Sequence, residues 1–322
     1  MKNKYSITSN SVKLFKHLDE LKSLQIGIPR PILLHVMPTT KCNLKCENCC
    51  FAEANAKETK HLDLKVAKET LRQFMMLGTR AIEITGFGDP SCYKYINELV
   101  DFAYSLGMKI GMNTNGHLAK NITNWQNFAW VRLSMNTLDF YELEKAYPLE
   151  YIRKKAPNLQ LSGCYVNTSK VNKTMPKILK FAEKNKIMVR VVPNCIDSNE
   201  GIKEQIKHLK TLIPKDNKYV FVSDFNIELG KRRNNNCHLH LVKPALAPDG
   251  YVYSCPSSEL AIENGTKLNA KFRICKGVNV YKHYTSKEVY NIPQHNCSYC
   301  KYKHFNEILE DVLTESEFND FT

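Results

Sequence analysis

No stretch of the 322-residue chain approaches the run of about 18 apolar residues that a membrane helix needs. Its opening, MKNKYSITSNSVKLF, has lysines but neither an apolar h-region nor a small-residue cleavage site, so no secretion signal is read there. The expectation is a cytoplasmic protein with no membrane partner. Missing too are H-E-x-x-H, the Walker loop, G-x-G-x-x-G and G-x-S-x-G, which removes the zincin, P-loop, dinucleotide-fold and nucleophile-elbow readings. The ten histidines show no comparable ligand spacing; His238 and His240, one residue apart, are expected to share a strand face as solvated or hydrogen-bonded side chains. There is no internal repeat and no low-complexity segment.

Two quantities stand out instead. The formal charge is +14, which suits a polyanion such as nucleic acid or an acidic peptide. It equally suits a lysine-rich composition, because only Lys231-Arg232-Arg233 forms a tight basic cluster. Cysteine is the other, at twelve residues. Disulfides do not persist in the cytoplasm, so clustered cysteines there point to metal or redox chemistry.

Apolar periodicity divides the chain. Residues 1–30 read as a short amphipathic helix (Val12, Leu14, Phe15, Leu18, Leu21) ending near Gly27 and Pro29. Strand-length runs follow at 32–38, 81–85, 109–113, 131–136, 159–167 and 188–193. Helical patterns alternate with them at 64–77, 95–106, 141–155 and 175–184, with a shorter one at 117–126. Alternating β and α units imply a parallel sheet with right-handed crossovers. Six units are too few for a closed eight-stranded barrel and suit an open, partial (β/α)6 barrel. In such sheets ligands collect at the C-terminal ends of the strands. There this chain places a cysteine loop, then Gly86-Phe87-Gly88-Asp89-Pro90, then Asn113-Thr114-Asn115-Gly116. Near residue 200 the pattern changes to a polar helix at 202–212, a strand at 219–223 and a basic, asparagine-rich stretch at 231–236. The expected domains are therefore a helical extension over 1–30, a partial barrel over 31–230 and a small domain over 231–322. The last should hold a β-hairpin turning at Asp249-Gly250 between strands 245–248 and 251–255, and a helix at 304–313.

Cys42, Cys46 and Cys49 supply three thiolates within eight residues. Thiolates suit iron–sulfur clusters and zinc. Three from one loop leave the fourth iron of a cubane open to a small chelator. This C-x3-C-x2-C signature resembles that of the radical S-adenosylmethionine superfamily, and further motifs follow in that family's order. Gly86-Phe87-Gly88-Asp89-Pro90 resembles its glycine-rich motif, Asn113-Thr114-Asn115-Gly116 its T-N-G strand ending, and Arg132-Leu133-Ser134-Met135-Asn136 its R-x-S-x-D stretch. Three positions depart from the pattern: Asp89 stands where Glu is commoner, Asn136 where Asp is commoner, and Asn48 where an aromatic residue often precedes the third cysteine.

The resemblance covers roughly residues 32–200 and implies a chemistry. A [4Fe–4S] cluster on Cys42, Cys46 and Cys49 would bind S-adenosylmethionine, with Gly86, Gly88, Asp89, Asn113, Asn115, Ser134 and Asn136 as its candidate contacts. Reductive cleavage by one electron, from a partner such as flavodoxin or ferredoxin, would give a 5′-deoxyadenosyl radical that removes a substrate hydrogen atom. A second set, Cys237, Cys255, Cys297 and Cys300, resembles a shortened SPASM domain of the twitch type, which implies one auxiliary [4Fe–4S] cluster on four cysteines. Hairpin cysteines followed by C-x2-C also describe a zinc ribbon. Cys50, Cys92, Cys164, Cys195 and Cys275 remain, and small buried apolar residues are their default reading. Cys195, ending the sixth strand, could instead donate a hydrogen atom to a substrate radical, and Cys275 could be an alternative cluster ligand.

For substrate, the resemblance implies peptide maturation by epimerisation, oxidation or crosslinking. A small-molecule dehydrogenase or rearrangement enzyme acting on an aminocyclitol or sugar is the alternative. Nucleic acid rests on the positive charge alone, and an electron carrier with two clusters is disfavoured by the cofactor motifs.

Overall fold

The computed structural model describes residues 11–51, 59–194, 197–223, 236–257, 270–291, 293–295, 297, 300 and 302–314. Seven strands run parallel in chain order: β1 (Leu33–Val36), β2 (Ala81–Ile84), β3 (Lys109–Thr114), β4 (Trp130–Ser134), β5 (Gln160–Val166), β6 (Met188–Val192) and β7 (Val220–Val222). This is the expected open α/β barrel, lengthened by one strand at its far edge.

The sheet also continues past β1. The two-residue strand β8 (Ala245–Leu246) lies parallel to β1, with His35 opposite Ala245 and Val36 opposite Leu246. β9 (Tyr251–Tyr253) and β10 (Arg273–Lys276) follow antiparallel. The expected hairpin is therefore not a separate sheet but the near edge of the barrel sheet. Gly250 turns it at φ +80°, where glycine carries no Cβ penalty. Asp249 pins the third strand by accepting from Arg273 Nη2 at 2.7 Å and from Tyr253 Oη at 2.7 Å. The boundary expected at 230/231 and the basic cluster at 231–233 lie outside the described residues, as does Cys195.

Strand alternation sorts the two faces of the sheet. Along β2, β4 and β6 every second residue is fully buried: Ile82 and Ile84, Val131 and Leu133, Val189 and Val191. These pack with the helices α1 (Leu18–Gln25), α2 (Leu64–Met76), α3 (Ile96–Ser105) and those that follow, in one large core. α2 shows how the sequence sets a helix. Asp63 caps it by accepting from the Lys65 and Val66 amides at 2.8 and 3.0 Å. Ala67, Leu71 and Phe74, at helical spacing, carry its buried stripe, and Gly78 at φ +95° ends the turn beyond it.

Prolines account for two differences from the expected helices. The pattern at 141–155 is split into α4 (Leu143–Ala146) and α5 (Leu149–Lys155), because Tyr147 precedes Pro148 and is held extended at φ −136°, ψ 124°. Conversely α6 (Val171–Asn185) starts well before Met175 and contains Pro176, whose fixed φ fits the helix and which forgoes one backbone bond. The segment 117–126 forms two 3-10 turns, Ala119–Asn121 and Trp125–Asn127, in place of an α-helix. α7 (Asn199–Thr211), α8 (Val280–Tyr284) and α9 (Lys303–Leu313) complete the described helices. α1 lies against α9, with Gln25 Nε2 donating to the Val312 carbonyl at 3.3 Å, so the extension and the C-terminal helix close on each other.

Candidate active site

The loop after β1 carries Cys42, Cys46 and Cys49, and hydrogen bonds hold it from several directions. Near Cys42, Asn115 at the end of β3 donates through Nδ2 to Asn43 Oδ1 at 2.7 Å, and the same nitrogen lies 3.9 Å from Cys42 Sγ. Near Cys49, Asn48 Nδ2 donates to the Asn167 carbonyl just past β5 at 2.7 Å, and Ser169 Oγ donates to Glu47 at 2.7 Å. The loop thus reaches from β1 to β5 across the C-terminal ends of the strands. Asn48, which departs from the aromatic pattern, is one of its anchors.

The three thiols sense one another. Burial raises Cys42, with Asp89 and Cys49 adding to the rise, while the Leu44 amide and Asn115 oppose it. Burial, followed by Cys49 and Cys42, pushes Cys46 up to about 12. Thiols whose anionic forms are disfavoured by burial and by one another make a donor set that a cationic metal centre would stabilise. Among the described residues no three His, Cys, Asp or Glu side chains converge closely enough to hold a single ion. A cubane cluster asks for wider spacing, since each thiolate bonds a different iron. Cys92 lies beside this loop, its Sγ 3.7 Å from Asn43 Oδ1.

In the glycine-rich segment, packing against the chain ahead of Cys42 requires the glycines. A Cβ on Gly88 would stand 2.0 Å from the Lys41 carbonyl oxygen, and one on Gly86 (φ +133°) 2.8 Å from Met37 Cβ. The glycines let this loop dock on the chain between β1 and Cys42, where Gly88 N donates to Thr39 O at 2.9 Å and Asp89 N to Lys41 O at 3.0 Å. Asp89 then spends both carboxylate oxygens on protein donors: the Ser91 amide, the Ser91 and Thr114 hydroxyls and the Asn115 amide. It clamps the T-N-G turn to the glycine loop.

Asn136 is similarly engaged, since Nδ2 donates to Val166 O at 2.8 Å while Oδ1 accepts from Val166 N at 2.9 Å. Asn113 faces the concave side of the sheet, donating to Glu83 at 2.7 Å and to Thr85 at 3.2 Å. Ser134 ends β4 half-buried, opposite Cys164 in register, and its carbonyl accepts from Tyr147 Oη at 2.7 Å. Sequence reasoning missed Asp139, which gathers Tyr165, Thr168, Thr174 and Asn136 just beyond β4. It also missed the stacked pair His117–Tyr141, with ring centroids 4.0 Å apart. Neither belongs to a spaced motif that could have signalled it.

The second cysteine set lies on three segments tied together. Cys237 N donates to Pro293 O at 3.0 Å, and Ser254, next to Cys255, bonds His295 at 2.9 Å. Asn306 on α9 accepts from His238 N at 2.8 Å and points Nδ2 at Cys300 Sγ, 3.9 Å away. His238 caps, and His240 lies within, a 3-10 turn, Leu239–Leu241, so they do not share a strand face. Burial, against the carbonyls of Val289 and Cys237, lowers His240 to about 4. Cys297 and Phe51 both pack against a small apolar cluster of Met37, Phe87, Ala245, Ala247, Tyr253 and Phe272, which lies between the two cysteine regions. Cys275 lies on β10 within the core, where burial alone pushes its thiol up to about 12, as expected of a packed apolar residue.

No family model and no curated protein matches the sequence significantly. Solved structures do match. Streptococcus suis SuiB is 18% identical over 88% of this chain and 73% of its own, with a TM-score of 0.53. Hexahistidine-tagged anSMEcpe with bound AdoMet is 15% identical over 88% and 84%, with a TM-score of 0.54. Native anSMEcpe with bound AdoMet and Kp18Cys peptide is 14% identical over 91% and 86%, with a TM-score of 0.50. The chain has the mostly parallel, partial-barrel fold of these radical S-adenosylmethionine enzymes with C-terminal domains.

Proposed function

We propose that the chain is a radical S-adenosylmethionine enzyme that acts on a peptide. The observation carrying this reading is the loop of three adjacent thiols, laid across the strand ends and clamped by the glycine and T-N-G turns, in that fold. When bound, a [4Fe–4S] cluster and S-adenosylmethionine supply reductive C–S cleavage and a 5′-deoxyadenosyl radical for hydrogen abstraction. Cys42, Cys46 and Cys49 would hold the cluster. Asp89 and Asn136 act as positioning residues, through the turns they fix. Main-chain groups of the glycine loop, with Asn113, Asn115 and Ser134, are the proposed cofactor contacts.

A peptide substrate is supported by the comparison with anSMEcpe, which was solved with a peptide bound. The proposed outcome is maturation by epimerisation, oxidation or crosslinking, with a flavodoxin- or ferredoxin-type reductant. Cys237, Cys255, Cys297 and Cys300 are the proposed ligands of an auxiliary [4Fe–4S] cluster, supported by the bonds that join their segments. Among the described residues no helix is long and apolar enough to cross a membrane.

Anoxically reconstituted protein given dithionite and S-adenosylmethionine should release 5′-deoxyadenosine, and no release would overturn the enzyme reading. Replacing Cys42, Cys46 and Cys49 together by Ala should abolish that release yet leave about four irons per chain on the second set. Zinc in their place would refute the auxiliary cluster.

A further inference from the structure

The cysteines of the second set stand on three stretches of chain, around 237, 255 and 297–300, and two buried polar side chains join those stretches. His295 is one of them. Its Nε2 meets Ser254 Oγ at 2.9 Å beside Cys255, its carbonyl accepts from Cys297 N at 3.0 Å, and its ring lies 4.1 Å from that of Phe272. An isolated bridge between Asn236 and Gln294 lays the Cys237 stretch along the same residues. Asn306, on α9, is the other. Its Oδ1 accepts from His238 N at 2.8 Å, next to Cys237, while its Nδ2 lies 3.1 Å from Tyr302 O and 3.9 Å from Cys300 Sγ.

The chain itself fixes which way this amide points. A main-chain N–H can only donate and a main-chain carbonyl can only accept, so His238 needs the oxygen on its side and Tyr302 the nitrogen on its own. Nδ2 carries two hydrogens. One serves Tyr302, and the other faces the Cys300 sulfur. Asn306 is 3% exposed and shares the buried side of α9 with Leu309, a place where an apolar residue needs no partner and an amide needs several. Glu310, one turn further along α9, pairs with the His238 ring, so the helix grips the residue after Cys237 by both its amide and its side chain. Cys255 has comparable support from the main chain, since its Sγ accepts from Ser257 N at 3.3 Å.

The chemistry of a cluster gives such a hydrogen a role. The electron added on reduction is shared with the thiolate ligands, so an N–H···S bond favours the reduced form and raises the potential. We propose that Asn306 is a positioning residue for the auxiliary cluster, which sets Cys237 and Cys300 as one ligand pair and, through the Cys300 sulfur, draws the cluster toward its reduced form. This rests on the reading of Cys237, Cys255, Cys297 and Cys300 as cluster ligands. A cluster held in this way is easier to reduce and keeps its iron longer.

The full chain with Cys42, Cys46 and Cys49 replaced by Ala, reconstituted anoxically, presents the second set alone. Its midpoint potential is read by EPR during reductive titration, and its iron loss by uptake into a ferrous chelator. Asn306→Leu is close in size and suits a helix, but it removes the donor. The equilibrium constant for reduction should fall about tenfold, which for one electron is a shift of about 59 mV to lower potential. Iron should leave about tenfold faster. Leu309→Ala loosens the same helix without removing a hydrogen bond, and should leave the midpoint where it was. A second measurement needs no change at 306. Pulsed EPR of the reduced cluster, with nitrogen-15 in asparagine side chains only, should show a hyperfine-coupled nitrogen. That signal should survive replacement of Asn236 and Asn296, the asparagines that precede Cys237 and Cys297.

A midpoint that stays or rises in Asn306→Leu, an equal fall in Leu309→Ala, or the absence of any coupled asparagine nitrogen would overturn the proposal. Should Asn306→Leu not fold, the nitrogen signal decides alone. A parent chain that binds no iron on the second set overturns the auxiliary-cluster reading and the proposal with it. About four irons per chain with an unmoved midpoint overturn the proposal and leave that reading standing.

Discussion

Replacing Glu83 by Gln should cost the protein about 3 kcal/mol of stability at neutral pH. The carboxyl sits on the concave face with its side chain 16% exposed, accepts from Asn113 at 2.7 Å and lies 3.7 Å from His35 Nε2. Burial alone would raise its pKa. His35, Lys243, Arg132 and the Asn113 bond overcome that and hold it near 2, against an ordinary 4.5. The folded value is depressed, so the stabilisation is complete above about pH 4.5 and is lost as pH falls through about 2. Glutamine keeps the shape and an acceptor for Asn113 but removes the charge, which makes it a mimic of the protonated acid.

The assay is urea unfolding of both proteins at a series of pH values, followed by tryptophan fluorescence. Both tryptophans, Trp125 and Trp130, belong to the barrel, and Trp130 stacks beside Arg132, so the signal reports this part of the fold. The difference between the two proteins should hold near 3 kcal/mol from pH 7 to 5, narrow below about 4.5 and close near 2. High salt should change it little, because ions do not screen a covered pair well. A difference below about 1 kcal/mol at pH 7 would refute the reasoning, since that is the range of exposed pairs. So would a difference that persists undiminished to pH 2.5.

Gly88→Ala should prevent the glycine loop from docking, because its Cβ would meet the immobile Lys41 carbonyl at 2.0 Å. Iron content after reconstitution should fall, whereas Gly107→Ala, strained at φ +75° but with nothing within 4 Å of its Cβ, should leave iron content unchanged. Asn136→Asp should destabilise the end of β5 by about 1–3 kcal/mol, because a carboxylate would face the Val166 carbonyl in place of a donor. Denaturant midpoints for the two proteins check it.

The parallel sheet was legible because its strands and helices repeat in order and each strand run ends in a turn signal. Where side chains alternate simply, as in β2, β4 and β6, sequence bounds and strand bounds nearly coincide. The seventh strand, Val220–Val222, is short and follows a polar helix, so only its neighbour β6 shows where it belongs. β10 could not be read at all, since Arg273–Lys276 has one apolar residue besides Cys275 and owes its place to Asp249 and the β9 ladder. In the site, spacing located the three thiols and the turns. It could not reveal that Arg132, Cys164 and Arg190 share one face, because they lie on different strands and their meeting depends on register.

Register also explains two of the three departures from the family-like motifs, Asn136 and Asp89. At position 136 the side chain must both donate to Val166 O and accept from Val166 N, an exchange that an amide makes and a carboxylate cannot. At position 89 the side chain bonds the Ser91 amide two residues on while reaching Thr114 at the end of β3 and the Asn115 amide just past it. A glutamate, one methylene longer, would have to fold back to meet the Ser91 amide. Both positions therefore carry the residue their protein partners require. Each side chain fixes one of the turns between which the cysteine loop is stretched, and the loop's own polar residues, Asn43 and Asn48, complete the anchorage.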